Sequence, residues 1–310
     1  MNVQLNSTVG RGGLIHMITK EDAKAFHRDG AIKINGVLND GWIEILADGL
    51  DECFEEPSGM SSDLVMQDTM IRVDQFPASR SNNLQKFIHE SPVGGLVESM
   101  IGAQVRFYMD QMFVKPAGEL MATAWHQDTS YYNVEGDDLI RAWVSPDPVP
   151  RGASLEVIRG SHNWNVTYRP LVGRDPAIPD EDHQTKLEKA REFGFYERSG
   201  EDFAYNDAIL DKSLPEIPDI ESRRESFDII GWDYEPGDVI LFHGNAIHAA
   251  CNDTVLEYPR RAHAIMCAGP NVRYKKRLGQ VIPDPRALDE YKPETGQFLS
   301  EFGNIFPIVG

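Results

Sequence analysis

Ala124-Trp125-His126-Gln127-Asp128 sets an imidazole and a carboxylate two residues apart. On a strand, residues i and i+2 leave the backbone on the same face, so His126 and Asp128 are expected to point to one place. A second imidazole comes from Glu235-Pro236-Gly237-Asp238, a turn signal, followed by the apolar run 239–242 and then His243-Gly244-Asn245-Ala246-Ile247-His248. Two histidines and one carboxylate on two strands form a facial set that leaves one side of a metal open, the arrangement of non-haem Fe(II) oxygenases. Zinc accepts the same ligands. His248, beyond a short Gly-Asn link, is the preferred second imidazole. His243 is the alternative, and its bland reading is a barrel-wall histidine with satisfied hydrogen bonds.

Tyr258-Pro259-Arg260-Arg261-Ala262-His263 begins the next strand. An arginine at a barrel mouth can grip a carboxylate through two parallel hydrogen bonds. A 2-oxo acid chelating the metal would present a far carboxylate to such a group. Arg261 is the expected partner, with Arg260 the runner-up.

These motifs, in this order, resemble the phytanoyl-CoA dioxygenase family of Fe(II)- and 2-oxoglutarate-dependent oxygenases. The resemblance runs from 18–38 through Val114-Lys115-Pro116, WHQD at 125–128, Leu139-Ile140-Arg141-Ala142-Trp143 and the segment 152–162. It ends with GDVILFHGNAIHAACND and RRAHAI. It implies a mainly β fold with flanking α-helices, a double-stranded β-helix (jelly-roll, cupin-like) barrel. It implies iron on His126, Asp128 and His248, with 2-oxoglutarate and O2 as cosubstrates. Arg261 would pair with the distal carboxylate of 2-oxoglutarate, and Lys115 and Trp143 would line its pocket. Where the family often has a hydroxyl residue two after the distal histidine, this chain has Ala250, so Gln111 is a candidate for extra anchoring. The carboxylate at Asp128 favours hydroxylation, desaturation or demethylation over halogenation, because a halide would need that ligand position empty. Phe107, Trp125 and Tyr131 are candidates for the substrate cavity, each with ordinary core packing as its bland reading. Gly160-Ser161-His162 reads as a turn in which Ser161 satisfies backbone groups. Competing classes are a cupin-type metal-dependent hydrolase or isomerase without 2-oxoglutarate, in which the arginine has no task, and a non-catalytic binding protein on the same fold.

The elements that must carry these residues are legible in outline. Thr19 opens a helix with Asp22 three residues on, a weak capping box, and Asp29-Gly30 ends it. Residues 31–38 alternate as a strand. Asn39 or Asp40 starts a second helix that Pro57 closes. Residues 58–83 are mixed and polar, and 83–101 carries helical spacing. Strands are expected at 105–107, 112–114, 140–144, 154–158, 239–242 and 263–267. The stretch 165–231, with a helical run at 181–193, reads as a lid or binding insertion, or else a cover for a sheet edge. The chain is expected to form one domain over 1–310.

The 310 residues are 41% hydrophobic and 25% charged, which excludes a disordered chain. A formal net charge of −19 disfavours nucleic acid and anionic membranes as partners and leaves a small molecule as the expected substrate. Cys53, Cys251 and Cys267 show no CxxC pattern and fit reduced thiols. Residues 1–13 lack a signal-peptide core, and no stretch has the ~18 apolar residues of a membrane span, so the expected location is the cytoplasm.

Overall fold

Thr19 is the N-cap of the first helix. It accepts from the Asp22 N–H at 3.1 Å while the Asp22 carboxylate accepts from the Thr19 N–H at 2.9 Å, completing the capping box. Gly30, at φ +81, ends it in the left-handed conformation that glycine adopts without strain. The computed structural model describes residues 18–58, 61–66, 69–118, 122–170, 195–199, 211–251, 253–277 and 293–310. The helical run expected at 181–193 lies outside them.

The described helices are α1 (Lys20–Asp29), α2 (Asp40–Glu55), α3 (Asn82–Glu90) and α4 (Val93–Ile101). The strands are β1 (Ala31–Ile34), β2 (Ser61–Met66), β3 (Thr69–Gln75), β4 (Val105–Lys115), β5 (Thr123–His126), β6 (Val134–Glu135), β7 (Leu139–Val144), β8 (Leu155–Ile158), β9 (Phe195–Ser199), β10 (Ile229–Gly231), β11 (Val239–His243), β12 (His248–Ala250), β13 (Arg260–Ala268), β14 (Arg273–Tyr274) and β15 (Ile308–Val309).

Nine strands make the larger sheet, in the order β1-β11-β7-β13-β4-β3-β2-β9 with β15 also on β4. A four-stranded sheet, β10-β8-β12-β5, is separate from it. Both are antiparallel. The large sheet buries both faces. Ile140, Ala142, Val144, Leu241 and Ile265 meet Leu46, Leu50, Leu84, Phe87 and Val97 of the helices. Trp143, Ile240, Phe242, Ala262 and Ala264 face Leu155 and Val157 of the small sheet. This is the expected double-stranded β-helix with flanking helices, but as two facing sheets that do not close into a hydrogen-bonded barrel.

Several expectations need correction. Residues 105–115 form one strand, because both of its faces are covered and the two-residue period is masked. Residues 58–83 contain the β2–β3 hairpin. Residues 83–101 are two helices, because Ser91 precedes Pro92 and is pushed to extended backbone, φ −72 and ψ 163. The described residues of the stretch 165–231 include two strands, β9 on β2 and β10 on β8. Its described parts put Tyr168, Ile217, Ile220 and Phe227 against the outer face of the small sheet.

Candidate metal centre

The small sheet brings His126 and His248 together by register: they are direct partners across β5 and β12. Their ring centroids are 4.2 Å apart. Asp128 does not reach them by strand alternation. The strand ends at His126, and Asp128 has helical backbone (φ −69, ψ −42) at the start of a short 3-10 turn. The turn, not the pleat, swings its carboxylate back. Oδ1 then lies 3.6 Å from His126 Nε2 and 3.7 Å from His248 Nε2. One ligand atom from each of the three residues falls within 4.8 Å of the others.

The remaining polar atoms of the triad are already engaged. The Nδ1 atoms of His126 and His248 lie 2.8 Å and 3.0 Å from the Ala124 and Ala246 carbonyls. A carbonyl only accepts, so each Nδ1 carries the proton and each Nε2 offers a lone pair. Asp128 Oδ2 accepts from Arg141 Nε at 2.8 Å. Arg141 in turn donates to Gln111 Oε1, which also accepts from the Tyr132 hydroxyl at 3.0 Å. Such outer partners fix ligand orientation.

Burial, reinforced by the neighbouring ring, pulls the His248 imidazole down to about 3. Burial also lowers His126. For Asp128, burial alone works against ionisation, but Arg141 and the two imidazoles outweigh it and hold the carboxyl below its ordinary range. Neutral imidazoles and an ionised carboxylate are the ligating forms.

Neighbouring backbone is locked to keep this geometry. The Thr129 N–H donates to the Gly244 carbonyl at 3.1 Å, and a Cβ at Gly244 would sit 2.9 Å from Leu139 Cδ2. Gln127 spans the motif, donating to the carbonyls of Asn245 and Val166 and accepting from the Tyr168 N–H. Ser161 Oγ accepts from the Ile247 N–H at 2.8 Å, one residue before His248, in the role its turn motif suggests. Ser161→Ala leaves that buried N–H without an acceptor and should cost about 1–3 kcal/mol of stability. An unchanged melting temperature would contradict this.

His243 is a wall histidine. Its Nε2–H donates to the Asp137 carbonyl at 2.8 Å and its Nδ1 accepts from the Asn245 N–H at 3.0 Å, so neither nitrogen has a lone pair to spare. Burial, with the nearby His162, pulls it down to about 4. The unfolded chain takes up a proton near pH 6.5 that the folded chain refuses until about 4, so stability is full above 6.5 and falls across that window. The urea midpoint of metal-free protein should therefore drop between pH 7 and pH 5, and drop less in His243→Gln. Equal pH dependence in the two proteins would contradict the assignment.

Strand parity separates the two candidate arginines. Arg261 points to the helix side. It donates to Asp147 at 2.7 Å and 3.0 Å and to Asp51 of α2 at 2.8 Å. Arg260 points inward and is 1% exposed. It lies opposite Lys115 in register and its guanidinium stands 5.8 Å from the Trp143 ring centre. It donates to the Ala153 carbonyl, while its Nε has no partner. Lys115 is fully buried, and burial together with Arg260 drives it well below the ordinary ammonium range. Trp143 Nε1–H donates to the Tyr234 hydroxyl at 3.1 Å. Gln111 is not in this group. It sits four residues back along β4, about 13 Å away at strand spacing, bound to Arg141.

Of the three aromatic candidates, one stays near the candidate ligands. The Tyr131 ring meets His126 edge-on with centroids 5.8 Å apart. Trp125 alternates away from His126 to the outer face, where its Nε1–H donates to Glu221 at 3.0 Å. Phe107 packs among the helices, because a bulge at the β4–β13 register shift between Met266 and Cys267 flips the faces beyond it. Arg141 was not anticipated. Its signal was a charged residue in an otherwise apolar strand, two positions from Trp143 and so on the same face.

A cupin-like pair of sheets holding a two-histidine, one-carboxylate site defines the class of protein. The family model for phytanoyl-CoA dioxygenase (PhyH) matches residues 26–261, and the chain belongs to that family of Fe(II)- and 2-oxoglutarate-dependent dioxygenases. It is 24% identical over 279 residues to the ectoine dioxygenase of Sphingopyxis alaskensis, covering 86% of this chain and 81% of that one. Its fold is similar to the non-haem α-ketoglutarate-dependent carbocyclase SnoK from nogalamycin biosynthesis, with TM-score 0.64 and 16% identity over 96% of this chain and 100% of that one. It is also similar to EctD of S. alaskensis with 2-oxoglutarate and 5-hydroxyectoine, with TM-score 0.60 and 17% identity over 92% and 91%. Among the described residues no helix is long and apolar enough to cross a membrane.

Proposed function

We propose that this protein is a dioxygenase that uses Fe(II), 2-oxoglutarate and O2 to oxidise a C–H bond of a small-molecule metabolite, with His126, Asp128 and His248 as its metal ligands. The observation that carries this is the convergence of two imidazole Nε2 atoms and one carboxylate oxygen, with every other polar atom of the three side chains already bonded. The donor set fits iron: two neutral nitrogens, one anionic oxygen and an open side. Iron bound there supplies dioxygen activation, which no side chain can provide.

The rest falls to the chain's own residues. Arg141 holds Asp128 by one oxygen, so the other is left for the metal. Arg260 is the distal-carboxylate partner for 2-oxoglutarate. No ion pair with a carboxylate of the described residues engages it, and its unpartnered Nε is a buried donor aimed at the interior. Lys115 adds a second buried nitrogen beside it, and Trp143 and Tyr234 form the wall. A hydrolase working without a 2-oxo acid would leave Arg260 buried for nothing, and burying an uncompensated cation is costly. The substrate class is drawn from the family, whose ectoine-oxidising relative acts on a small molecule by its name.

Purified protein should release succinate only when Fe(II) and 2-oxoglutarate are both supplied, and His126→Ala should abolish that release. Turnover supported by zinc without 2-oxoglutarate would contradict the proposal.

A further inference from the structure

The inner face of the large sheet has two polar poles, and only one of them is accounted for by the cosubstrate. The first is Arg260 with Lys115. The second is Arg141 with Gln111, Tyr132 and Gln75, about 13 Å along β4 and in direct contact with the metal ligand Asp128. Gln75 belongs to this pole because it is the register partner of Gln111 across β3 and β4.

Two buried polar atoms at the second pole have no partner: Nη1 of Arg141, in a residue 3% exposed, and Oε1 of Gln75, also 3% exposed. Buried polar groups are nearly always satisfied in folded proteins, so an unpaired donor and an unpaired acceptor on one patch ask for a ligand. They ask for opposite things. Arg141 has a cationic N–H to give, and Gln75 has a carbonyl oxygen to receive one.

The open N–H of Arg141 selects the anion. Asp128 takes the Nε of Arg141, and the buried carboxylate of Asp110 pairs with His263, but neither engages Nη1. A carboxylate matches a guanidinium N–H in charge and in planar geometry, which a neutral acceptor does not.

We infer that the primary substrate is a small carboxylate that also carries an N–H donor, an amino-acid-like compound, with its carboxylate on Arg141 and its N–H on Gln75. This rests on the oxygenase reading above and specifies the substrate of that same site.

The test is succinate release by the iron-loaded enzyme with 2-oxoglutarate, O2 and ascorbate. The probes are the L-amino acids and cyclic imino acids, each paired with its methyl ester. The substrate-free rate reports on the oxygenase reading itself. At least one free acid should raise that rate several-fold, and its ester should do so at least tenfold less. In Gln75→Leu the KM for that acid should rise at least tenfold more than the KM for 2-oxoglutarate, and Arg141→Lys should show the same split. Gln75 makes no contact with a metal ligand, so its variant remains informative if Arg141→Lys fails to load iron. Esters that stimulate as well as acids, no stimulation by any acid, or parallel KM changes in Gln75→Leu would overturn the inference while a substrate-free rate persists. Absence of any succinate release, with or without probe, would bring down both readings.

Discussion

Asp128→Ala should lose at least about a thousandfold in kcat/KM for succinate formation, equivalent to about 4 kcal/mol of transition-state stabilisation. The reason is double. Oδ1 is the only anionic ligand atom among the described residues of the site, 3.6 Å and 3.7 Å from the two Nε2 atoms. Oδ2 is the ion-pair partner of a buried guanidinium. Removing the carboxylate takes a ligand from the metal and leaves Arg141 uncompensated beside the two imidazoles. Cation repulsion then adds to the missing bond, so iron retention should fall along with turnover. Asp128→Asn keeps an oxygen for Arg141 but not the charge, and should also fail to hold iron. His248→Ala should behave like Asp128→Ala, since its Nε2 has no substitute: His243 has both nitrogens bonded. Metal content after desalting and initial succinate rates check these expectations together. Near-normal turnover in Asp128→Ala and His248→Ala would refute the triad.

Arg260→Met should raise the apparent KM for 2-oxoglutarate by about thirtyfold to a few thousandfold, the equivalent of the ~2–5 kcal/mol lost when one partner of a desolvated charge pair is removed. Arg261→Met should leave that KM within about twofold. Arg261 instead ties β13 to Asp147 and to Asp51 on α2. With Asp51 half exposed, its loss should appear as about 1 kcal/mol of stability. The two neighbours thus trade places: one substitution moves the cosubstrate requirement, the other the melting temperature. Initial rates against 2-oxoglutarate concentration, beside thermal melts, separate them. A large KM change in Arg261→Met with none in Arg260→Met would reverse the assignment.

The opposite orientations of these neighbours mark the limit of what the sequence shows. Residue types and order were enough to nominate His126, Asp128 and His248, three residues that the structure brings together. Parity was not legible, because it depends on which face of β13 meets the small sheet. Arg260 shares its face with Ala262 and Ala264, small residues that leave room inside, and that pattern was the available clue. Trp125 follows from the same rule: a strand neighbour of an inward histidine must point outward. Phe107 could not have been placed, since a one-residue bulge between it and Met109 reverses the face. The helix layer was read well where caps are local, at Thr19, Gly30 and Asn39. At 83–101 the helical spacing is right, and only the break at Ser91-Pro92 adds to it. Arg141 was hidden for a different reason. Its partner Asp128 is thirteen residues away across a turn, and no local pattern announces a buried ion pair.

The most direct measurement is an anaerobic titration of the metal-free protein with Fe(II) and 2-oxoglutarate, followed by visible absorption. A weak charge-transfer band should grow to one equivalent of iron only when both are present, be missing in His126→Ala, and require much more 2-oxoglutarate in Arg260→Met. A wild-type protein that binds neither iron nor 2-oxoglutarate, or whose band is indifferent to His126, would contradict the assignment of this site.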